Sequence, residues 1–258
     1  MTRRARQPAV SVRRIAAHRL LRSLPAGSIS LLLTDPPCAT VDRHGSGHLR
    51  DWFRGSLSWP QIGRLLRSAR PKLRSDGLVI VLSNEAGLAG AQAALRATGF
   101  VRQRIVVWDK RTPGLGTGLR HHVEYAVIGL QPGSRALSGR DLLSVPAVAP
   151  NTSGRYPTQK PVSLGRELAA IAGVRRGDLV VDPFAGSGSL LVGARERGAR
   201  VIAGDISARA MRLARQRLSP ASSTPQRTPA PPSVPSPPAS RATPARQPLS
   251  PPRSARAR

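Results

Sequence analysis

A short turn after an apolar run carries the residue types best suited to chemistry in this chain. The run at 28–34 is followed directly by Asp35, Pro36, Pro37 and Cys38. Because proline fixes φ, two consecutive prolines stiffen the backbone and hold the aspartate in one direction. If the run is a strand of a parallel sheet, the carboxylate lies at the carboxyl end of that strand, where ligands bind in such sheets.

A carboxylate beside a backbone carbonyl suits the methylation of an amine that is conjugated to an aromatic ring. The lone pair of such an amine is delocalised and poorly nucleophilic. Two acceptors that each take one N–H favour a pyramidal nitrogen whose lone pair points at a donor methyl group, and the carboxylate stabilises the cation that forms. Taken alone, the same residues also fit an ordinary turn.

A glycine-rich stretch, VVDPFAGSGS at 180–189, is the second candidate site. Glycines let a backbone turn tightly and approach a ligand closely. Asp205 ends the next apolar run, about 20 residues after the loop begins, where a carboxylate can accept hydrogen bonds from both hydroxyls of a ribose. The stretch contains neither a GxGxxG fingerprint nor a P-loop, so it predicts a nucleoside site of another kind, with a plain βα turn as the alternative.

Alternating strands and helices would position both candidate sites. Apolar runs bounded by Gly or Pro predict strands at 28–34, 78–82, 101–108, 123–130, 179–181 and 200–203. Helices are predicted at 61–73, 87–97, 161–172, 189–197 and 208–218. This alternation predicts an α/β fold with a doubly wound, mostly parallel sheet. The Gly-, Ser- and Pro-rich stretches 39–60 and 131–155 are predicted to be surface loops.

The chain is strongly basic. Its 258 residues include 41 Lys and Arg against 13 Asp and Glu, a formal net charge of +28. Such a charge favours a polyanionic partner, usually nucleic acid, although only three of the basic residues are lysines and a GC-rich genome can produce the same bias. Cys38 is the single cysteine, which excludes an intramolecular disulfide and fits a reducing cytoplasm. No apolar run approaches the ~20 residues needed to span a bilayer.

The two ends of the chain differ in composition from its middle. Residues 1–21 are rich in Arg and lack acids, like a transit peptide, and we interpret 1–10 as a basic N-terminal extension. Residues 219–258 consist mainly of Pro, Ser, Ala and Arg, and we expect them to be disordered, either inert or adding phosphate affinity. The interval 11–218 is then the folded domain.

Five segments, taken in order, resemble the DNA N4-cytosine/N6-adenine methyltransferases in their permuted arrangement, with the catalytic turn before the cofactor loop. They span about 15–218 and read SLPAGSISLLLTDPP, RPKLRSDGLVIVLS, VVWDKRTPGLGTGLRHHVEYAVIG, YPTQKPVSL and DPFAGSGSLLVGARERGARVIAGDIS. The resemblance implies a Rossmann-like fold, S-adenosyl-L-methionine as cofactor and DNA as substrate, in a cytoplasmic protein of bacterial, archaeal or phage origin. A homodimer is compatible with the chain, and no membrane partner is expected.

The resemblance also assigns residues. Asp35, Pro36 and Pro37 would grip the target amino group, with Cys38 completing the catalytic turn. The cofactor pocket would be lined by Thr158, Lys160, Pro161, Asp182, Phe184, Gly186, Ser187, Gly188 and Asp205. Asp rather than Ser before the prolines favours adenine N6 as the target, with cytosine N4 as the alternative. Lys110 and Lys160 both fall within family motifs, which indicates that an ammonium group matters there.

The chain departs from the family pattern in three places. Cys38 stands where the family has an aromatic ring that stacks on the flipped base, a contact worth about 1–3 kcal/mol. No acid precedes Thr34, and Ala16 or His18 falls where the family's carboxylate reaches the cofactor adenine. The stretch 131–155 is short for a target-recognition insert, so recognition is expected to be limited or shared with 39–60.

Other readings remain open at this point. Pro37-Cys38 resembles the nucleophile of cytosine-C5 methyltransferases, but the motif order is opposite, and a structural role for a small buried thiol is favoured. A DNA-binding module that kept the fold without catalysis, and an enzyme acting on RNA or protein amines, are further alternatives. Trp52 and Trp59 either stack on bases or anchor a loop. His121 and its neighbour would point to opposite faces of a strand, so no metal is assigned.

Overall fold

The computed structural model describes residues 9–38, 55–113, 120–147, 156 and 158–219. The chain divides into two units, Met1–Ser223 and Thr224–Arg258, and every described residue lies in the first. The strands in these ranges are β1 (Val10–Arg14), β2 (Ile29–Thr34), β3 (Leu73–Ser83), β4 (Arg102–Asp109), β5 (Val123–Leu130), β6 (Leu142–Ser144), β7 (Leu179–Asp182) and β8 (Arg200–Asp205). The helices are α1 (Ala17–Ser23), α2 (Trp59–Ala69), α3 (Glu85–Ala97), α4 (Val162–Ile171), α5 (Leu191–Glu196) and α6 (Ala208–Leu218).

The strands form one sheet in the order β1-β8-β7-β2-β3-β5-β4-β6. Every neighbouring pair is parallel except that β5 runs antiparallel to both β3 and β4. The chain moves outward from β2 to β3 on one side and from β7 to β8 on the other, so its connections diverge between β2 and β7. The predicted doubly wound, mostly parallel sheet is confirmed, and such a divergence point is where these folds bind ligands.

Helices cover both faces of the sheet and bury a core on each. Leu31 and Leu33 of β2 belong to the core that α4, α5 and α6 cover, whereas Leu32 belongs to the core under α1, α2 and α3. All six residues of β2 are buried. Because successive side chains of a strand point to opposite faces, a strand covered on both faces is apolar throughout. The continuous apolar run at 28–34 therefore predicted a central strand.

The first strand lies further towards the N-terminus than predicted. Val10 pairs with Val201 at the edge of the sheet, and the carbonyl of Ala9 accepts a hydrogen bond from the Val201 amide at 3.0 Å. The predicted basic extension at 1–10 is therefore wrong at its C-terminal end, while residues 1–8 lie outside the described residues. Arginines interrupt the apolar pattern of β1 because an edge strand is covered less completely than a central one.

A second correction concerns the stretch 131–155. Leu142–Ser144 pairs in parallel with β4, so the prediction that the whole stretch is a surface loop is wrong there. Three residues give too short a pattern to reveal a strand by periodicity. Further back, Arg135 donates to Asp178 at 2.6 Å and to Asp76 at 2.7 Å, which fixes this part of the chain to the sheet.

Several predicted boundaries also shift. Helix α2 begins at Trp59, inside the predicted loop 39–60, because the Gln61 side chain accepts a hydrogen bond from the Ser58 amide at 2.7 Å and caps the helix. The helix predicted to reach residue 73 ends at Ala69, and a 3-10 turn containing Pro71, which has no N–H to donate, follows it. Residues 39–54 and 220–258 lie outside the described residues. In the described ranges no helix has the length and apolar character that crossing a membrane would need.

Candidate active site

The turn after β2 and the loop after β7 meet where the connections diverge. The Thr34 hydroxyl donates to Oδ1 of Asp182 at 2.8 Å, and the Phe184 amide donates to the same oxygen at 3.0 Å. Asp182 is 1% exposed. Its burial raises the pKa of the carboxyl to about 7, against the lowering effect of these donors and with a further rise from Asp35 and Asp205. One buried carboxyl thus joins the two candidate sites.

The glycine-rich loop aligns Asp205. Gly186 has φ 49° and Gly188 has φ 74°, a left-handed backbone that favours glycine. This turn points the Gly186 amide at Oδ2 of Asp205, 3.1 Å away, while the Ser207 amide donates to Oδ1 at 2.8 Å. Burial raises the pKa of Asp205, and these backbone donors oppose that rise. Each oxygen keeps a lone pair, so the carboxylate can still accept ribose hydroxyls.

Helix α6 holds the glycine-rich loop through Arg217, a residue that the sequence did not single out. Its guanidinium donates to the carbonyl of Ser187 at 2.7 Å and to Oε1 of Gln159 at 2.8 Å. Ser187 is 2% exposed, so both its hydroxyl and its backbone are buried. Arg217 therefore joins the cofactor loop to the segment that precedes α4.

The catalytic turn is bound to that same segment by an ion pair. Nζ of Lys160 lies 2.6 Å from Oδ2 of Asp35 and 3.5 Å from Oε2 of Glu124. Burial acts to lower the pKa of Lys160, but Asp35 and Glu124 outweigh it and raise the pKa well above its usual value. Lys160 was predicted to line the cofactor pocket, and in the structure its ammonium contacts the Asp35 carboxylate. Glu124, on β5, was not predicted as a site residue.

Cys38 packs as a small apolar side chain. It is 8% exposed, its Sγ donates to the Pro36 carbonyl at 3.4 Å, and its backbone bridges to Leu57. Burial raises the pKa of the thiol to about 12, and Asp35 adds to the rise while Lys160 opposes it. A thiol protonated at neutral pH is a poor nucleophile, which argues against the cytosine-C5 reading and for the structural role.

Tyr156 lies against the cofactor loop, although the sequence analysis did not select it. A Cβ atom added to Gly186 would lie 2.8 Å from the ring carbons Cε1 and Cζ of this tyrosine. Burial, followed by the charges of Asp205, Asp35 and Asp182, holds the pKa of the phenol far above its usual value. The ring therefore sits in contact with the loop and within electrostatic reach of all three carboxyl groups.

A pocket of about 520 Å³ opens at Ile206, the residue that follows Asp205. Its walls include Phe184 and Ile206, which follow β7 and β8, together with Ala16, His18 and Gln61. The mostly apolar walls fit a nucleoside, and Asp205, which precedes the lining residue Ile206, can accept ribose hydroxyls, so these residues suit S-adenosyl-L-methionine. Ala16 and His18 were predicted at the adenine end of the cofactor, and among the described lining residues of the pocket none is acidic.

The other predicted residues differ in their exposure and packing. Thr158 is exposed, and Pro161 is buried as the N-cap of α4. Trp59 packs on α3, where it occupies the space that a side chain at Gly90 would need, so it is a packing anchor. Trp52 lies outside the described residues. His121 pairs with Glu85 at 2.5 Å.

Comparisons with known proteins find similarity to DNA methyltransferases. A family model described as DNA methylase matches residues 138–216. The type II methyltransferase M2.DpnII of Streptococcus pneumoniae is 26% identical over 239 residues, covering 80% of this chain and 88% of the relative. The M1.HpyAVI complex with SAM has a TM-score of 0.62 at 17% identity, covering 81% of this chain and 99% of the other. The cytosine-N4-specific PvuII DNA methyltransferase has a TM-score of 0.62 at 17% identity, covering 84% and 90%.

Proposed function

Because this chain belongs to the DNA N4-cytosine/N6-adenine methyltransferase family, we propose that it methylates the N6 amino group of adenine in DNA. It is an enzyme that uses S-adenosyl-L-methionine to methylate an exocyclic amino group of a DNA base. The cofactor supplies a methyl group on a positively charged sulfur, which leaves as a neutral thioether. The residues of the chain have to bind that donor and orient the amine.

The observation that carries the proposal is the position of Asp35. Lys160 engages Oδ2 of this carboxylate at 2.6 Å, while no described residue donates to Oδ1. Among the described residues, only the weak Cys38 thiol donates to the Pro36 carbonyl, at 3.4 Å, whereas the Pro37 carbonyl accepts the Leu57 amide at 2.7 Å. Oδ1 of Asp35 and the Pro36 carbonyl are therefore the two acceptors with capacity for the N–H groups of the target.

These acceptors would give the amine the geometry that the reaction needs. When each takes one N–H, the nitrogen lone pair is directed away from them and towards the donor methyl group. The positive charge that develops on the nitrogen is then stabilised by the Asp35 carboxylate. After transfer, one proton leaves the nitrogen and the amine is neutral again.

The cofactor would bind on the other side of the divergence point. Asp205 is held by the amides of Gly186 and Ser207 so that it faces the ribose, and Phe184 and Ile206 form apolar walls for the adenine. Asp182 would support the cofactor site indirectly, because it accepts hydrogen bonds from the Thr34 hydroxyl and the Phe184 amide. We assign Asp205, Gly186 and Phe184 to direct contact with the cofactor.

The choice of adenine rests on Asp35, since aspartate before the two prolines is typical of adenine enzymes in this family and serine of cytosine enzymes. Amplified DNA, which carries neither N6-methyladenine nor N4-methylcytosine, is incubated with the purified protein and the cofactor, digested to nucleosides and analysed by mass spectrometry. N6-methyladenine is the expected product. N4-methylcytosine would overturn the adenine assignment, and the absence of both would overturn DNA amino methylation.

A further inference from the structure

Four charged side chains form an alternating row that ends at the catalytic carboxylate. Lys110 Nζ lies 3.5 Å from Oε1 of Glu124, and Lys160 Nζ lies 3.5 Å from Oε2 of the same residue. Lys160 continues the row to Oδ2 of Asp35 at 2.6 Å. The side chains of Lys110, Glu124 and Lys160 are 14%, 22% and 13% exposed, so solvent screens their interactions only in part.

Of the four side chains in the row, Glu124 is the one held by a strand inside the sheet. Glu124 lies on β5, which pairs with β3 on one side and β4 on the other, and its Cα is in register with Trp108. Lys160 lies just before α4, in a segment whose described neighbours are Thr158, Gln159 and Pro161. A lysine ammonium sits on a flexible four-carbon stem, so a second carboxylate on a fixed strand restricts where that ammonium can go.

We propose that Glu124 is a positioning residue for methyl transfer, which holds the Lys160 ammonium against Oδ2 of Asp35 and so keeps Oδ1 directed at the target amine. The proposal rests on the proposed function, in which Asp35 accepts an N–H of that amine. Lys110 occupies the remaining oxygen of Glu124 and leaves the four side chains with balanced charge. Glu124 acts through Lys160 and touches neither base nor cofactor.

A contribution to folding stability does not by itself explain why these four charged side chains are largely buried. Removing charged groups from water costs energy that their attraction often fails to offset, and a buried ion pair is weak evidence for stabilisation. A solvent-exposed pair elsewhere in the chain serves as the control: Arg166 donates to both oxygens of Glu196 at 2.7 and 2.8 Å, and the two side chains are 54% and 45% exposed. That pair joins α4 to α5, so Glu196→Gln removes a paired glutamate charge away from Asp35.

The chain contains only three lysines, Lys72, Lys110 and Lys160, which allows a direct test of the contact. The protein is labelled with 15N-lysine, and NMR at low temperature follows the Nζ signal of each lysine. Because Lys72 does not contact Glu124, the variant Lys72→Arg identifies and removes its signal. We expect Glu124→Gln to shift the Nζ signals of both Lys110 and Lys160 and to speed their exchange with water, while Glu196→Gln leaves them unchanged. An unchanged Lys160 signal in Glu124→Gln would overturn the proposal.

A double-mutant cycle tests the effect on the reaction. At temperatures where both proteins are folded, Glu124→Gln should lower kcat about tenfold or more, the size expected when a charge-assisted contact is lost, with the Kd for S-adenosyl-L-methionine unchanged. Lys160→Met should lower kcat at least as much. Because Glu124 acts through Lys160, the double variant should be no slower than Lys160→Met alone. Additive losses, or a Glu124→Gln loss that appears in Kd rather than kcat, would contradict the proposal.

Asp35→Asn separates this inference from the function on which it rests. If Asp35→Asn retains wild-type kcat, the proposed function fails. If Asp35→Asn is inactive while Glu124→Gln has wild-type kcat, only the positioning role fails. Glu196→Gln should keep wild-type kcat in the same assay, since its pair with Arg166 lies outside the site.

Discussion

The Thr34 hydroxyl donates to Oδ1 of Asp182 at 2.8 Å, across 148 positions of the chain. Thr34 immediately precedes Asp35, the proposed catalytic residue, and Asp182 begins the proposed cofactor loop. In the proposed mechanism, this short buried bond fixes the distance between the acceptor of the target amine and the site of the methyl donor. Methyl transfer depends on such fixed placement because the reacting atoms must approach within about 3–3.5 Å in line.

The raised pKa of Asp182 predicts a pH dependence of stability. The unfolded chain releases this proton near pH 4, whereas the folded chain keeps it until about pH 7. Between these values the folded state binds more protons than the unfolded state, so this residue makes the fold less stable as pH rises. Asp182→Asn does not titrate and can still accept both bonds through its amide oxygen. Its free energy of unfolding, relative to wild type, should increase from pH 4 to 7 by a few kcal/mol, at about 1.4 kcal/mol per pKa unit.

Urea denaturation at several pH values measures this difference. Asp141→Asn, which removes an exposed carboxylate, is a suitable control. Parallel curves of stability against pH for wild type and Asp182→Asn would contradict the raised pKa.

Asp35→Ala should abolish methyl transfer and leave cofactor binding nearly unchanged. The carboxylate orients the amine and stabilises its developing charge, so its loss removes an interaction made in the transition state. Transfer of tritium from labelled cofactor to DNA measures the rate, and calorimetry measures cofactor binding. Retention of more than a small fraction of the wild-type kcat would refute the assigned role of Asp35.

Asp205→Ala should weaken the binding of S-adenosyl-L-methionine by about 1.5–3 kcal/mol, the range for a lost hydrogen bond to a charged group. The Gly186 and Ser207 amides would also lose their acceptor, so Asp205→Asn, which keeps an acceptor oxygen, should lose less. Isothermal titration calorimetry gives both values. Equal affinity in Asp205→Ala and wild type would place the ribose contact elsewhere.

Tyr156 should contribute to binding the charged form of the cofactor. An aromatic face attracts a cation within about 6 Å, by about 0.5–2 kcal/mol, and this ring lies beside the loop and the carboxyl groups that suit a sulfonium. Tyr156→Leu should therefore weaken binding of S-adenosylmethionine more than binding of the neutral product S-adenosylhomocysteine. Tyr156→Phe, which keeps the ring, should retain the wild-type ratio of the two affinities. An equal loss for both ligands in Tyr156→Leu would argue for a purely steric wall.

Cys38 offers a test of the remaining mechanistic alternative. Because the thiol is buried and its pKa is raised to about 12, Cys38→Ser should keep methyl transfer within about threefold of wild type. A tyrosine is far larger than this buried cysteine, so Cys38→Tyr should lower stability by about 1–3 kcal/mol. Thermal melts and the tritium assay measure both effects. Loss of activity in Cys38→Ser would restore the cytosine-C5 mechanism.

The strands and helices that run through the middle of the fold could be predicted from the sequence because their patterns are local. The run at 28–34 marked β2, and Val123–Leu130 and Ala208–Leu218 were predicted with the bounds that the structure has. The edge strand Val10–Arg14 was not predicted, because one side of an edge strand is open and its residues need not be apolar throughout.

The sequence by itself determined the two candidate sites, since each is a short turn directly after a buried strand. Which side chains meet in those sites was decided by the tertiary structure. Glu124 reaches Lys160 only because β5 enters the sheet antiparallel beside β3, and Arg217 reaches Ser187 only because α6 packs over the loop. Contacts between distant segments depend on strand order and helix packing, and local periodicity contains no information about either.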